Sequence, residues 1–135
     1  MASQPDFSDW LAICNVKAEY CRLLDTKKWD DWGRLFTDDV EVDTQEAGGE
    51  VTTDREAFVG PLRQMLAEVK TAHQVHSPLI TICGDEAKVI WAMQDRLIWP
   101  DGNSMTGYGH YHEVYRRTED GWKIAKLTLT RLIMD

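Results

Sequence analysis

The stretch Glu19-Tyr20-Cys21-Arg22-Leu23-Leu24-Asp25-Thr26-Lys27-Lys28-Trp29-Asp30-Asp31-Trp32 closes one amphipathic helix and opens a second. Its carboxylate Asp25 follows the apolar pair Leu23-Leu24. An acid there is either a surface group at a helix end or a buried functional acid. Upstream, Ile13, Val16, Tyr20, Leu23 and Leu24 recur at helical spacing. Asp6 is the expected cap, with Asp9 three residues on as in a loose capping box. Cys14, Ala18, Cys21 and Asp25 form a neighbouring row, so Asp25 lies at the edge of the apolar arc beside small residues. Downstream, the second helix is short. Asp30 or Asp31 is its expected cap, and Trp29, Trp32, Leu35 and Phe36 are its apolar side.

Residues 40–44 alternate as a strand does, and Gly48-Gly49 marks a loop or hairpin end. Thr53-Asp54-Arg55-Glu56 opens a third helix, which carries Phe58, Leu62, Met65, Leu66 and Val69. Pro61 inside it is expected to kink or restart the helix. From Thr71 the period changes to two. Turn signals at Gly84-Asp85, at Pro100-Asp101-Gly102-Asn103 and at Glu119-Asp120-Gly121 divide four long strands. Short turns between consecutive strands imply an antiparallel meander. Helices followed by strands is α+β order. The expectation is a single domain over residues 1–135, with the N-terminal helices packed on a strongly curved sheet that leaves a cone-shaped pocket.

Composition narrows the function. The net charge of −8, without a clustered basic run, argues against nucleic acid and anionic membrane surfaces as partners. No apolar stretch approaches the ~18 residues of a membrane span, and the polar N-terminus has no signal-peptide core. The three cysteines, Cys14, Cys21 and Cys83, are odd in number and sit in apolar contexts. They read as buried thiols of a cytoplasmic protein. Six tryptophans suit a core or pocket made for bulky, flat contacts. An oligomer is expected, because Ile90, Ile98 and Tyr115 are placed on the outer sheet face.

Strand phase isolates the odd charges. Val89, Trp91, Met93, Asp95 and Leu97 share one face, with Lys88, Gln94 and Arg96 on the other. Leu127, Leu129, Arg131 and Ile133 share a face, while Lys126, Thr128 and Thr130 point away. Asp95 and Arg131 are therefore charges in phase with apolar groups, which is costly unless they are paired. Either they pair as a structural unit, or the phase slips at a bulge, or they serve a site. His73 opens the first long strand in phase with Val75, where it can meet Asp25; a carboxylate there fixes the tautomer and raises the basicity of an imidazole. His73 and His76 point to opposite faces. His110 and His112 share a face but have no third ligand at a recognisable spacing, so no metal is expected. There is no phosphate loop and no nucleophilic-serine motif, and Gly107-Tyr108-Gly109 reads as a bend within a strand.

These stretches resemble the SnoaL-like branch of the nuclear transport factor 2-like superfamily of cone-shaped α+β barrels. Within it they resemble the bile acid 7α-dehydratase and scytalone dehydratase families, and more distantly the hexachlorocyclohexane dehydrochlorinases. The matching segments are Tyr20 to Asp30, His73-Gln74-Val75-His76-Ser77-Pro78, Asp95-Arg96-Leu97-Ile98 with Asp101-Gly102, and Gly121-Trp122-Lys123-Ile124 running to Arg131. The resemblance implies a catalytic set of Tyr20, Asp25, His73, Asp95 and Arg131, no cofactor, and a homo-oligomer, trimer or dimer. It also implies elimination of water from an apolar, polycyclic or steroid-like hydroxy-carbonyl compound. An isomerase of the ketosteroid type and a non-catalytic binding module on the same fold are the alternatives, because one fold hosts many functions.

Overall fold

The computed structural model describes residues 6–135, so the expectation drawn from the polar N-terminus lies outside the described residues. Helix α1, Phe7–Asp25, is capped by Asp6, whose carboxylate accepts from the Ser8 N–H at 3.1 Å. Asp9 does not close a reciprocal cap. Its two oxygens instead accept from Arg117 Nη1 and Nη2 at 2.8 Å each, and one also accepts from Trp122 Nε1 at 3.2 Å. A bidentate guanidinium outcompetes a single backbone N–H for a carboxylate. The bond ties the start of α1 to the far end of the sheet. At the other end, Lys28 N–H bonds Leu23 O at 2.9 Å and Lys27 N–H bonds Leu24 O at 3.1 Å. That double bond is a Schellman stop, with Lys27 in the left-handed position at φ 61° where glycine is usual.

Helix α2, Trp29–Gly33, begins one to two residues before the expected acidic caps. Lys28 occupies the cap without a side-chain bond, and Asp30 and Asp31 lie in the first turn. Negative charge there still suits the positive end of the helix. Leu35 and Phe36 lie outside this helix, and strand β1, Phe36–Asp43, starts four residues earlier than the alternation suggests. Tertiary pairing sets that start. Ile124 N–H bonds Leu35 O at 2.8 Å, and the buried Phe36 ring meets Trp32 edge-on at 5.0 Å. Helix α3, Arg55–Leu66, is capped by Asp54 through Ala57 N–H at 3.0 Å and runs unbroken through Pro61, on the exposed side.

Four long strands follow: β3 Lys70–Cys83, β4 Glu86–Ile98, β5 Ser104–Thr118 and β6 Gly121–Met134, while β2 is the short Val51–Thr52. The sheet order is β2-β1-β6-β5-β4-β3. The meander is antiparallel as expected, but β1 runs parallel to β6, so the curved sheet is mixed and does not close. Register shifts at His76/Leu79, Tyr108/Gly109 and Val114/Tyr115 mark its bends. Packed between helices and sheet are Trp32, Phe36, Ile13, Leu24, Val40, Val42, Val89, Ile124 and Leu127. Tyr115 belongs there too, at 0% exposure, and not on the outer face where it was expected. It keeps step with Tyr111 and Glu113, and its hydroxyl finds a carboxylate inside. Ile133 is exposed although in phase with Leu129, because it lies near the strand's end. Cys83 is exposed, whereas Cys14 and Cys21 are half-buried. No helix among the described residues is long and apolar enough to cross a membrane.

Candidate active site

Asp25 is the last residue of α1, and the chain returns beside it as β3. Its Oδ1 accepts from Thr71 Oγ1 at 2.8 Å, its Oδ2 accepts from the His73 N–H at 2.8 Å, and His73 Nδ1 lies 2.7 Å from Oδ1. The His73 side chain is 9% exposed and that of Asp25 22%. An ionised carboxylate only accepts, so Nδ1 is the donor of this bond, and in the neutral ring Nε2 keeps its lone pair. Nε2 has no partner among the described residues. His76 points to the other face, where its Nδ1 lies 3.1 Å from Ser77 Oγ.

Asp95 is the direct cross-strand partner of His73 on the inner face. It is 4% exposed and holds Arg131 in a fork, Oδ1 to Nη1 at 2.7 Å and Oδ2 to Nη2 at 3.0 Å. The two charges found out of pattern thus form one ion pair. Gly107 faces Asp95 on β5, and any Cβ there would overlap both Arg131 Nη1 and Asp95 Oδ1. Gly109 sits at the β5–β6 register shift against the Thr130 carbonyl. The glycines therefore do more than bend the strand: Gly107 clears the volume that the pair occupies. Arg131 Nε is buried and has no acceptor among the described residues. The backbone N–H of Arg131 donates to Glu46 Oε1 at 2.9 Å, which pins the loop helix Gln45–Ala47 over this end of β6.

Tyr20 lies deeper, at 4% exposure, between Trp32, Phe36 and Tyr111. Because α1 ends at Asp25, Tyr20 faces the sheet while Asp25 reaches β3. Burial pushes the Tyr20 phenol far above its usual range, with Glu113 adding to the rise and Asp95 a smaller contributor, so it stays a protonated donor. Burial likewise pushes the Cys21 thiol up to about 11, which leaves it a poor nucleophile.

Sequence reading missed the pair beside Tyr20. Lys17 Nζ lies 2.6 Å from Glu113 Oε2, with both side chains at 0% exposure. Burial lowers the Lys17 pKa, and the Glu113 carboxylate works back against it. The signal was present: Lys17 falls in the Ile13–Tyr20–Leu24 arc, and Glu113 sits between Tyr111 and Tyr115. The phase test that exposed Asp95 and Arg131 finds both. His110 and His112 share the outer face with rings 6.1 Å apart, and His112 Nε2 lies 3.1 Å from Thr130 Oγ1. Three surface hollows open elsewhere: between α2 and α3, beside Asp38 and Asp39, and on the outer sheet face around Ile90 and His112. None of the five predicted residues lines them.

Residues 5–128 match the SnoaL-like domain. This chain belongs to that SnoaL-like family. It is 30% identical over 133 residues to the protein named "Probable cyclase FGR4" of Gibberella zeae, covering 89% of each chain. Among solved structures, a protein of Novosphingobium aromaticivorans assigned as an aromatic ring hydroxylase matches with a TM-score of 0.91 and 26% identity, over 98% of this chain and 95% of that one. A protein of the same organism assigned as a scytalone dehydratase shares the fold, with a TM-score of 0.87 and 20% identity over 96% of this chain and 87% of that one.

Proposed function

We propose that this SnoaL-like chain is a cofactor-independent dehydratase acting on an apolar, polycyclic or steroid-like hydroxy-carbonyl compound. One observation carries the reading: the Asp25–His73 contact at 2.7 Å, with Nε2 unengaged and the Asp95–Arg131 pair next along the same face. In this mechanism His73 Nε2 takes a proton from the carbon beside the carbonyl. Asp25 holds the ring and stabilises the imidazolium. Tyr20 donates to the carbonyl oxygen as it gains negative charge. Asp95 and Arg131 position the departing hydroxyl. The carbon–oxygen bond then breaks, and the proton held on Nε2 leaves with that hydroxyl as water. The scytalone dehydratase assignment of one fold neighbour supports elimination; the Gibberella zeae relative carries the name of a probable cyclase.

The test is His73→Ala with hydroxy-ketones and mass spectrometry. A positioned proton acceptor contributes about 10²–10⁴-fold, so turnover falls by that factor with the thermal transition unchanged. Undiminished turnover rejects the role of His73. Product of unchanged mass converts the reading to an isomerase or cyclase, and ligand binding without turnover converts it to a binding module. The proposal includes a homo-oligomer formed through the outer sheet face, where Leu79 is 69% and Ile90 36% exposed. Light scattering tests it, and a monomeric mass removes it.

A further inference from the structure

Lys17 has three N–H bonds and three places for them. One points to Glu113 Oε2 at 2.6 Å, and the others reach the ring faces of Tyr20 and Tyr111, each centroid 3.6 Å from Nζ. The second oxygen of Glu113 accepts from the Tyr115 hydroxyl at 2.7 Å, and the Tyr115 oxygen accepts from Trp91 Nε1 at 3.3 Å. Every polar group of this sealed network is matched. A buried ion pair gives a fold little that an apolar pair of equal volume would not, since desolvation offsets the attraction. What the charge does here is touch two phenols. Those rings meet at 5.6 Å and 73°, with the ammonium against the face of both. Burial holds both phenols far above their usual range, so each keeps its proton for an acceptor.

A cation against the face of a phenol draws on its electron density. We propose that Tyr111 is a second hydroxyl of the active site, and that Lys17, held by Glu113, is a positioning residue that makes the Tyr20–Tyr111 pair a strong donor to an oxyanion. Only the identity of that oxyanion, the enolate oxygen of the substrate, rests on the dehydratase reading.

The test has one arm without turnover. 4-Nitrophenol absorbs differently as anion and as neutral phenol, and serves as the oxyanion probe. The wild-type chain is expected to bind the anion at least about tenfold more tightly than the Lys17→Met/Glu113→Gln variant does. Tyr111→Phe, which keeps the ring and the ion pair, is expected to show a similar loss. Thermal unfolding checks that each variant folds, and Tyr111→Phe decides the matter if the charge-free variant does not. Equal anion binding by all three chains, or none by the wild type, overturns the proposal. In the kinetic arm, either variant lowers kcat about tenfold with KM nearly unchanged, and removing the Lys17–Glu113 charge from a Tyr20→Phe/Tyr111→Phe background costs nothing more. A further loss in that background shows that Lys17 does not act through the hydroxyls. Anion binding that behaves as expected, with no hydroxy-ketone turned over, rejects the dehydratase reading alone.

Discussion

Among the described residues, two pairs of a lysine or arginine with a carboxylate are buried, and they differ in how their bonds are taken up. Asp95–Arg131 joins two strands across Gly107, with side chains 6% and 10% exposed, and leaves Arg131 Nε without an acceptor among the described residues. Lys17–Glu113 joins helix to sheet at 0% exposure, and a phenol hydroxyl takes up the second carboxylate oxygen. Burial alone does not tell them apart. Completeness of bonding does: the sealed pair has every polar bond taken up, whereas the other keeps a donor, Arg131 Nε, that nothing among the described residues accepts.

The widest separation between the two comes from removing one partner of each. Lys17→Met leaves Glu113 charged where no water reaches it, and the chain is expected to lose about 5 kcal/mol, the upper end for a broken buried pair. Arg131→Met leaves Asp95 beside His73 at the more open end, and is expected to cost about 3 kcal/mol, the lower end. Denaturant unfolding at neutral pH measures both. Equal costs would erase the distinction drawn between the pairs. Lys17→Met/Glu113→Gln is expected to return most of the loss, because the orphaned charge is gone.

Gly107→Ala tests the second pair from the side. The new methyl must push Arg131 or Asp95 aside, since both already fill its volume. Overpacking of this kind costs about 1–3 kcal/mol. The fork should open, so the variant is expected to lose turnover while keeping its fold. Full activity would show that the Asp95–Arg131 geometry is not needed by the reaction.

The contrast between the pairs also measures what the sequence reveals. Asp95 and Arg131 break a period-two pattern, so strand phase alone finds them, and Asp25 with His73 follows from one helix end and one strand start. Lys17 breaks a helical arc just as plainly, yet a lysine on a helix reads as a solvated stem until the arc is checked turn by turn. Tyr111 gives no such sign, because a tyrosine in phase with a core is ordinary. The early start of β1 and its parallel pairing with β6 were not legible either. Both depend on a partner strand some eighty residues away, and local alternation carries no information about it. Lys27 was hidden for a different reason. Nothing marks a lysine as left-handed until the helix is seen to stop there.

That residue supplies a smaller test on the open side of the comparison. Lys27 holds φ 61° while its Nζ donates to Thr71 Oγ1 at 3.3 Å, and Thr71 in turn donates to Asp25. A side chain in this conformation costs roughly 1 kcal/mol that glycine avoids. Lys27→Gly is therefore expected to raise stability by up to about 1 kcal/mol, and to lower turnover by loosening Thr71 against Asp25. Lower stability would mean that the Lys27–Thr71 bond outweighs the strain, and unchanged turnover would remove Lys27 from the support of the site.

The smallest effect belongs to a pair that water reaches, Asp9–Arg117, which shows what pairing does outside the core. Bonds from Arg117 and then Trp122 hold the Asp9 carboxyl at about 2, below its ordinary 3.8. A depressed acid stabilises the fold above its unfolded value and loses that contribution as pH falls through its folded value. Asp9→Asn is thus expected to be less stable than wild type at neutral pH, with the gap closing between about pH 4 and pH 2. Thermal unfolding across that range measures it. The gap should stay small because the pair is exposed and screened. A gap that persists below pH 2 would show that Asp9 acts through the shape of its bond to Trp122, and that its charge, unlike those of the two interior pairs, contributes nothing.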